Sequence, residues 1–311
     1  MSRLVCGALA ALLWPAAPAL SDPIVLDADQ LVVEATVPFS GDFLAPGFDA
    51  IWMMRPFGKL VRADPADNSG IQHDVPGAVG AFARLAVGEG GIWIPDSANG
   101  GHIYKFDPVT ATVALDIPVN LTDPEGCIAV GGGSVWAVGF EDRHIWLRRY
   151  SATTGEEQSK TAIAGGVCVA IGEGSVWVSD TYHDAVLRLD LGSGELLATI
   201  PVAGQPRFLA VGEEAVWVIT QMDGLVHRID PASNTLTASI STGHRGSGGD
   251  ITTGGGFVWA SFRGAPVVRI NPLSHDIRVY EGVGFGDAIA YGSGSVWVSG
   301  QRLSRITPPV P

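Results

Sequence analysis

The segment GEGSVWVSD, residues 172–180, contains a tryptophan between two valines directly after a glycine-rich turn. Glycine favours the tight turn, and β-branched and aromatic residues favour the strand that follows it. Six other segments repeat the pattern: GFDAIWMMR (47–55), GEGGIWIPD (88–96), GGGSVWAVG (131–139), GEEAVWVIT (212–220), GGGFVWASF (254–262) and GSGSVWVSG (292–300). The seven tryptophans are Trp52, Trp93, Trp136, Trp177, Trp217, Trp259 and Trp297, with spacings of 41, 43, 41, 40, 42 and 38 residues. This regularity predicts seven equal structural units.

Further segments with the alternating pattern of strands flank each tryptophan segment. The following ones are LVRADP (60–65), IYKFDP (103–108), WLRRYS (146–151), VLRLDL (186–191), VHRIDP (226–231), VVRINP (267–272) and LSRITP (303–308). Another alternating segment then follows in most units, as in LATIPVAG (197–204), and a short apolar one such as FLAVG (208–212) precedes each tryptophan segment. Four short strands in about 40 residues are typical of a propeller blade. The sequence therefore predicts an all-β fold, a seven-bladed β-propeller with four-stranded blades.

The order of the strands also predicts how the ring closes. The last unit ends just after its third strand, whereas an unmatched strand, EATVPFSG (34–41), precedes the first tryptophan unit. We expect this N-terminal strand to complete the seventh blade, because pairing the two chain ends removes the open edges of a linear array. The alternative, an open solenoid, would leave both end units one strand short.

Composition and charge exclude several classes of protein. The chain has 311 residues, of which 46% are apolar and 16% charged, with 41 glycines, so it can bury a large core and is not disordered. The net charge is −13 and no Lys/Arg-rich run is present, which makes nucleic acid an unfavourable partner. The recurring tryptophans could form a stacking platform for a ligand, but one per blade at a fixed strand position favours packing between blades.

The N-terminal segment is predicted to be an export signal. Arg3 precedes an apolar stretch from Leu4 to Leu20 that ends in small residues. We therefore expect a signal peptide at residues 1–21, a single propeller domain at 22–311, and a periplasmic or secreted protein. A buried N-terminal helix is the alternative interpretation. No later segment is apolar for long enough to span a membrane, and we expect a monomer.

In a closed propeller, the loops that enter the innermost strands gather at one mouth of the central channel, where function usually resides. Nine or ten residues before each tryptophan, this ring reads Asp42, Arg84, Cys127, Cys168, Arg207, Asp250 and Asp287. Asp250, Asp287 and Asp42 fall on three consecutive blades. They are candidate ligands for Mg²⁺ or Ca²⁺ or for a cationic ligand group, and Arg84 and Arg207 are candidates for binding an anionic group. Alternatively, each Asp only caps its own turn.

Histidines and cysteines supply the remaining candidates. His244 and Arg245 lie in the long loop GHRGSGGD (243–250), so that His244 beside Asp250 is the best candidate for a general base, with Arg245 as a ligand-binding residue. His183, in DTYHDA (180–185), is a further ligand-binding candidate, although a histidine in a surface loop is usually only solvated. Cys127 and Cys168 occupy equivalent positions of adjacent blades and form either a disulfide or two buried thiols.

The stretch VWVSD…VLRLDLGSGELLATIPVAGQPRFLAVGEEAVWV, within residues 176–218, resembles secreted propellers of the YVTN-repeat type and the streptogramin B (virginiamycin B) lyase family. The resemblance spans all seven blades and is specific for the fold. It implies a Mg²⁺-dependent ring-opening lyase whose acid follows a tryptophan strand, a position held here by Asp96 and Asp180. Gluconolactonase-like propellers are a second analogue. The family's histidine position carries no histidine in any blade of this chain.

Two hypotheses about function follow. The leading one is a non-catalytic propeller that binds a small ligand or a protein on its channel-mouth loops. The alternative is a metal-dependent lyase or lactonase that uses Asp42, Asp250 and Asp287 with His244, and Asp180 as a further catalytic candidate.

Overall fold

The computed structural model describes residues 24–26, 32–78, 82–281 and 287–308. Apart from a single turn of 3-10 helix at Ala98–Gly100, all regular structure in these residues is β-strand. No helix in the described part of the chain has the length and apolar character needed to cross a membrane. The predicted signal peptide, residues 1–21, lies outside the described residues and stays a prediction.

The strands are short, and each begins or ends at a tight turn. The first half of the chain contains β1 (Ile24–Leu26), β2 (Val32–Val37), β3 (Ala45–Gly47), β4 (Ala50–Arg55), β5 (Lys59–Ala63), β6 (Gly70–Asp74), β7 (Ala86–Gly88), β8 (Gly91–Asp96), β9 (His102–Asp107), β10 (Thr112–Pro118), β11 (Ile128–Gly131), β12 (Ser134–Glu141), β13 (His144–Ser151) and β14 (Glu157–Ile163). The second half contains β15 (Val169–Gly172), β16 (Ser175–Asp180), β17 (Ala185–Asp190), β18 (Leu196–Pro201), β19 (Leu209–Gly212), β20 (Ala215–Thr220), β21 (Leu225–Asp230), β22 (Thr235–Ser241), β23 (Ile251–Gly254), β24 (Phe257–Ala260), β25 (Val267–Ile270), β26 (Ile277–Tyr280), β27 (Ile289–Gly292), β28 (Ser295–Ser299) and β29 (Leu303–Thr307).

These strands form seven sheets around a channel, antiparallel in all pairings except that of β1, which confirms the predicted seven-bladed β-propeller. Blades one to six are β3–β6, β7–β10, β11–β14, β15–β18, β19–β22 and β23–β26, each running from the innermost to the outermost strand. Blade seven consists of β27, β28 and β29, with β2 at its outer edge. The innermost strands of neighbouring blades contact one another around the whole ring, including β27 against β3.

The N-terminal strand closes the ring, as the strand order predicts. β2 pairs antiparallel with β29, with Val37 opposite Leu303 and Val32 opposite Thr307. Just beyond this strand, the backbone N–H of Gly41 donates to Ser299 Oγ, and that hydroxyl donates to the Gly41 carbonyl. The two ends of the chain are therefore joined by the backbone hydrogen bonds between β2 and β29 and by the two hydrogen bonds between Gly41 and Ser299.

The chain also makes one pairing that the repeat pattern does not predict. β1 runs parallel to β26, with Ile24 opposite Arg278, and gives blade six a fifth strand. The N-terminal segment therefore covers the outer edges of two successive blades before it enters blade one. Three residues without a tryptophan repeat carry no periodic signal, so sequence analysis could not have found this strand.

The seven repeat tryptophans lie in the core between blades, as predicted, and each of the seven is at most 1% exposed. Trp177 of blade four packs in the same buried cluster as Ile229 and Ile240 of blade five. In six blades the indole N–H also donates to the carbonyl of the glycine five residues earlier, as in Trp177 to Gly172 at 3.1 Å. Blade three is the exception, because Trp136 Nε1 is buried and has no hydrogen-bond partner in the described part of the chain. The glycine-rich turn thus also satisfies the polar edge of the tryptophan.

A basic residue stands directly opposite each of the seven repeat tryptophans on the neighbouring strand. The pairs are Trp52 with Arg62, Trp93 with Lys105, Trp136 with Arg149, Trp177 with Arg188, Trp217 with Arg228, Trp259 with Arg269 and Trp297 with Arg305. In five blades the cation lies within 6 Å of the indole ring. In four blades it also donates to a backbone carbonyl in the next blade, as Lys105 does to Ala152 and Arg305 does to Pro65. The same residue therefore covers its own tryptophan and ties its blade to the next.

The missing indole hydrogen bond in blade three provides a matched test of this arrangement. Trp177 and Trp136 are both fully buried and both covered by an arginine, but only Trp177 has an acceptor for its N–H. We expect Trp177→Phe to lower the free energy of unfolding by about 1 kcal/mol more than Trp136→Phe, the usual net value of a hydrogen bond. Urea unfolding at 25 °C measures both. Equal losses in the two variants would show that the indole–glycine bond contributes nothing.

Candidate functional site

Side chains of the predicted channel-mouth ring link different blades of the propeller. Arg84 of blade two places Nη2 3.1 Å from Asp250 Oδ1 of blade six, and its Nη1 donates to Cys168 Sγ of blade four at 3.1 Å. Asp250 is only 1% exposed. Burial raises the pKa of Asp250 to about 6, although the Arg84 charge and the backbone N–H of Ile251 favour the carboxylate. Arg84 and Asp250 thus form a buried link across the channel.

A second arginine links two blades on one side of the channel mouth, nearer to the surface. Arg207 Nη2 of blade five lies 2.6 Å from Glu125 Oε2 and 3.2 Å from Asp123 Oδ2, both of blade three. Its guanidinium also covers Phe208, whose ring is within 5.3 Å of the guanidinium carbons of both Arg84 and Arg207. The charge of Arg207 is therefore offset by two carboxylates of blade three.

A third arginine, Arg263, was not singled out from the sequence. Its Nε donates to both carboxylate oxygens of Asp287 at 2.9 Å, which joins blade six to blade seven. Arg263 stands four residues after Trp259, in a loop class that the propeller pattern already assigns to the channel mouth. The position could have been found from the repeat, but its ion pair could not.

These groups surround a cavity of about 220 Å³ at the channel mouth. Every blade except the fourth contributes to its lining, which consists of Asp42, Phe43, Phe82, Glu125, Arg207, Phe208, Gln221, Ser247, Gly248, Gly249, Arg263 and Asp287. Phe43 and Phe208 are buried and meet edge to face, with ring centroids 5.4 Å apart. A second cavity of about 250 Å³ shares Asp42, Phe82 and Asp287 with the first, so the opening continues outward as a groove.

Asp42 differs from the other acidic residues of this cavity. Among the described residues, its carboxylate makes no hydrogen bond and no ion pair, whereas Glu125 and Asp287 are each held by an arginine. Burial raises the pKa of Asp42, the nearby Asp287 and Glu125 charges raise it further, and Arg263 acts in the opposite direction. The cavity therefore contains a partly desolvated carboxylate without a partner.

The three predicted metal-ligand candidates are not gathered into one site. Asp250 lies below the cavity with Arg84, Asp287 is held by Arg263, and only Asp42 is unpaired. Within the described ranges, no three His, Cys, Asp or Glu side chains are placed to hold a metal ion. Arg84 and Arg263 take up the carboxylates that a Mg²⁺ or Ca²⁺ ion would need, so these residues do not fit such an ion.

The histidine candidates are arranged differently from the prediction. Asp250 is engaged by Arg84, and the acidic group that acts on His244 is Glu281; burial lowers the pKa of His244, and Glu281 opposes that shift. Arg245 is exposed in the same loop. His183 instead forms a defined pair, because its Nδ1 lies 2.8 Å from Oδ2 of the buried Asp180 while more than half of its side chain is exposed. Among the predicted catalytic and histidine candidates, Asp180 and His183 are therefore the pair that the structure brings together.

The cysteine alternatives are resolved in favour of two thiols. Cys127 and Cys168 are both buried and neither forms a disulfide. Burial raises the pKa of the Cys168 thiol, with the Arg84 charge acting in the opposite direction.

Comparison with known proteins identifies the fold. No protein-family model matches the chain, and no curated protein sequence matches it. A streptogramin B lyase structure is 17% identical with a TM-score of 0.72 and aligns over 88% of this chain and 96% of its own. Virginiamycin B lyase from Staphylococcus aureus is 13% identical with a TM-score of 0.69, over 87% and 94%. BamB from Moraxella catarrhalis is 11% identical with a TM-score of 0.64, over 89% and 100%. The predicted resemblance to lyase-type propellers is thereby confirmed for the fold.

The buried Arg84–Asp250 pair makes a prediction about pH. Because the pKa of Asp250 is raised from 3.8 to about 6 in the folded protein, its carboxyl group favours folding below pH 3.8, and this contribution is lost as the pH rises through about 6. Asp250→Asn cannot ionise, so we expect the variant to gain stability relative to the wild type over this interval, by on the order of 3 kcal/mol.

Urea unfolding of both proteins from pH 4 to pH 7 measures the difference. The control is Glu195→Gln, which removes one negative charge at an exposed position of blade four. A difference between Asp250→Asn and the wild type that stays constant with pH would contradict the assignment.

Proposed function

We propose that this propeller binds a small molecule in the channel-mouth cavity. The observation that carries the proposal is the unpartnered Asp42 carboxylate inside a concave site that also has aromatic walls. Small-molecule sites combine apolar walls with a few polar groups that fix the orientation of the ligand. The continuation of the cavity into a second one of about 250 Å³ leaves room for a molecule that extends beyond the channel centre.

The protein is proposed to act outside the cytoplasm as a monomer. The apolar stretch at Leu4–Leu20 after Arg3 supports export, and the ligand is then a compound met in the periplasm or the medium. A protein partner on the same face is the other form of this function. Exposed Phe140, Tyr182 and Met222 on the hairpins of blades three to five favour that form.

A lyase or lactonase activity is the second candidate, and the Asp180–His183 pair is the observation in its favour. Asp180 fixes the Nδ1 side of the imidazole, which leaves Nε2 of a half-exposed ring for proton transfer.

A thermal-shift screen of a compound library, with and without a blocked cavity, tests the proposal. Ser247→Trp places a bulky ring at the exposed cavity wall, and Thr153→Trp adds the same ring to an exposed turn on the opposite face. We expect compounds that raise the Tm of the wild type to lose this effect in Ser247→Trp and to keep it in Thr153→Trp, since only a ligand bound to the folded state stabilises it.

The outcomes separate the candidates. Hits that stabilise Ser247→Trp as well as the wild type would contradict binding in the cavity. Mass spectrometry of the recovered hits adds the catalytic test: a compound converted by the wild type but not by His183→Ala would favour the second candidate.

A further inference from the structure

The charges around the channel-mouth cavity do not balance. Its lining has three carboxylates, Asp42, Glu125 and Asp287, and two guanidinium groups, Arg207 and Arg263. Each arginine is paired with one of the carboxylates, Arg207 with Glu125 at 2.6 Å and Arg263 with Asp287 at 2.9 Å. Among the lining residues one negative charge, that of Asp42, is left over, and Asp123, which shares Arg207 with Glu125, adds a further negative charge beside the cavity.

A second side chain in the cavity lacks a partner for an acceptor atom. Gln221 is only 8% exposed, and its Nε2 donates to the Gly249 carbonyl at 3.0 Å. With the amide group fixed in this way, its Oε1 has no hydrogen-bond partner among the residues that the structure describes. Because Gln221 lines the cavity, a ligand that supplies an N–H donor there would complete the hydrogen bonding of this amide.

We propose that the cavity recognises the protonated amine of its ligand, with Asp42 and Gln221 as the acceptors and the rings of Phe43, Phe82 and Phe208 around the ligand's apolar part. This inference rests on the proposed function and names the class of ligand. An ammonium group carries three donors and one positive charge, which matches the acceptors and the charge left over.

Anionic and neutral ligands fit the same cavity less well. An anion would add to the excess of carboxylates, because the arginine charges are already offset by Glu125 and Asp287. A neutral ligand would displace water from the Asp42 carboxylate without supplying a positive charge in its place, and leaving a carboxylate desolvated and unpaired costs free energy. The net charge of −13 adds a long-range attraction for cations.

Three probes that share a phenylalkyl body separate these classes: 3-phenylpropylamine, 3-phenylpropan-1-ol and 3-phenylpropionate. Isothermal titration calorimetry at pH 7 measures their binding to the full chain. We expect the amine to bind at least roughly tenfold more tightly than the alcohol, the scale of one charge-assisted hydrogen bond, and the carboxylate to bind most weakly.

Asp42→Asn keeps the size of the side chain and removes its charge. We expect it to weaken amine binding roughly tenfold or more and to leave alcohol binding unchanged. Glu195→Gln makes the same change in net charge far from the cavity and is expected to bind all three probes as the wild type does. Because Asp42 holds no other residue in place, Asp42→Asn should fold with an unchanged or higher Tm, measured without probe.

The results distinguish failure of the amine inference from failure of the proposed function. Binding of the alcohol or the carboxylate as tightly as the amine, or an Asp42→Asn variant with full amine affinity, would overturn the inference while small-molecule binding stands. Absence of binding by all three probes would overturn the inference, and the library screen then decides separately whether the cavity binds small molecules.

Discussion

Packing of each tryptophan between its own blade and the next is the constraint on which the rest of the molecule depends. A propeller blade cannot bury both of its faces alone, so each face must pack against a neighbouring blade. The ring is stable only when side chains fill all seven interfaces between blades. One large indole ring per blade fills each interface. The glycine carbonyl accepts its N–H in six blades, and the opposite Arg or Lys covers the indole in five. The same cation ties four of the blades to the following one. These contacts lie toward the face opposite the channel mouth.

The two faces of the propeller therefore have different roles: the contacts toward one face stabilise the ring, and the loops at the channel mouth carry the candidate site. Because the interfaces and the glycine turns hold the ring, the residues that precede the innermost strands are free to vary at the mouth. In this chain they bring charge into a narrow channel, where burial makes an unpaired charge costly. Arg84, Arg207 and Arg263 each pair with a carboxylate of another blade and offset most of that cost. Asp42 is the group that this set of arginines does not reach, and it faces the cavity.

The repeat explains what could and could not be predicted. The tryptophan spacing predicted the number of blades, and the unmatched strand at 34–41 predicted closure, because both follow from strand order along the chain. The set of mouth residues was also readable from their fixed distance to each tryptophan. Which of these residues pair with each other could not be predicted. Strand order places Asp250 on the blade next to that of Asp287, but in the structure Asp250 pairs with Arg84, whose side chain is long enough to cross the channel from blade two to blade six. The contact between Asp180 and His183 could have been predicted from the sequence, because the two residues are three positions apart in one hairpin.

The measurement that tests the account most directly is the titration of the Asp42 carboxyl group, followed by carbon-detected NMR in the unliganded protein and with 3-phenylpropylamine bound. The account predicts a pKa above the ordinary value of 3.8 in the unliganded protein, because burial and the Asp287 and Glu125 charges disfavour the carboxylate. It predicts a lower pKa when the ammonium group is bound. A pKa at or below 3.8 in the unliganded protein, or one that does not change with the amine, would contradict it.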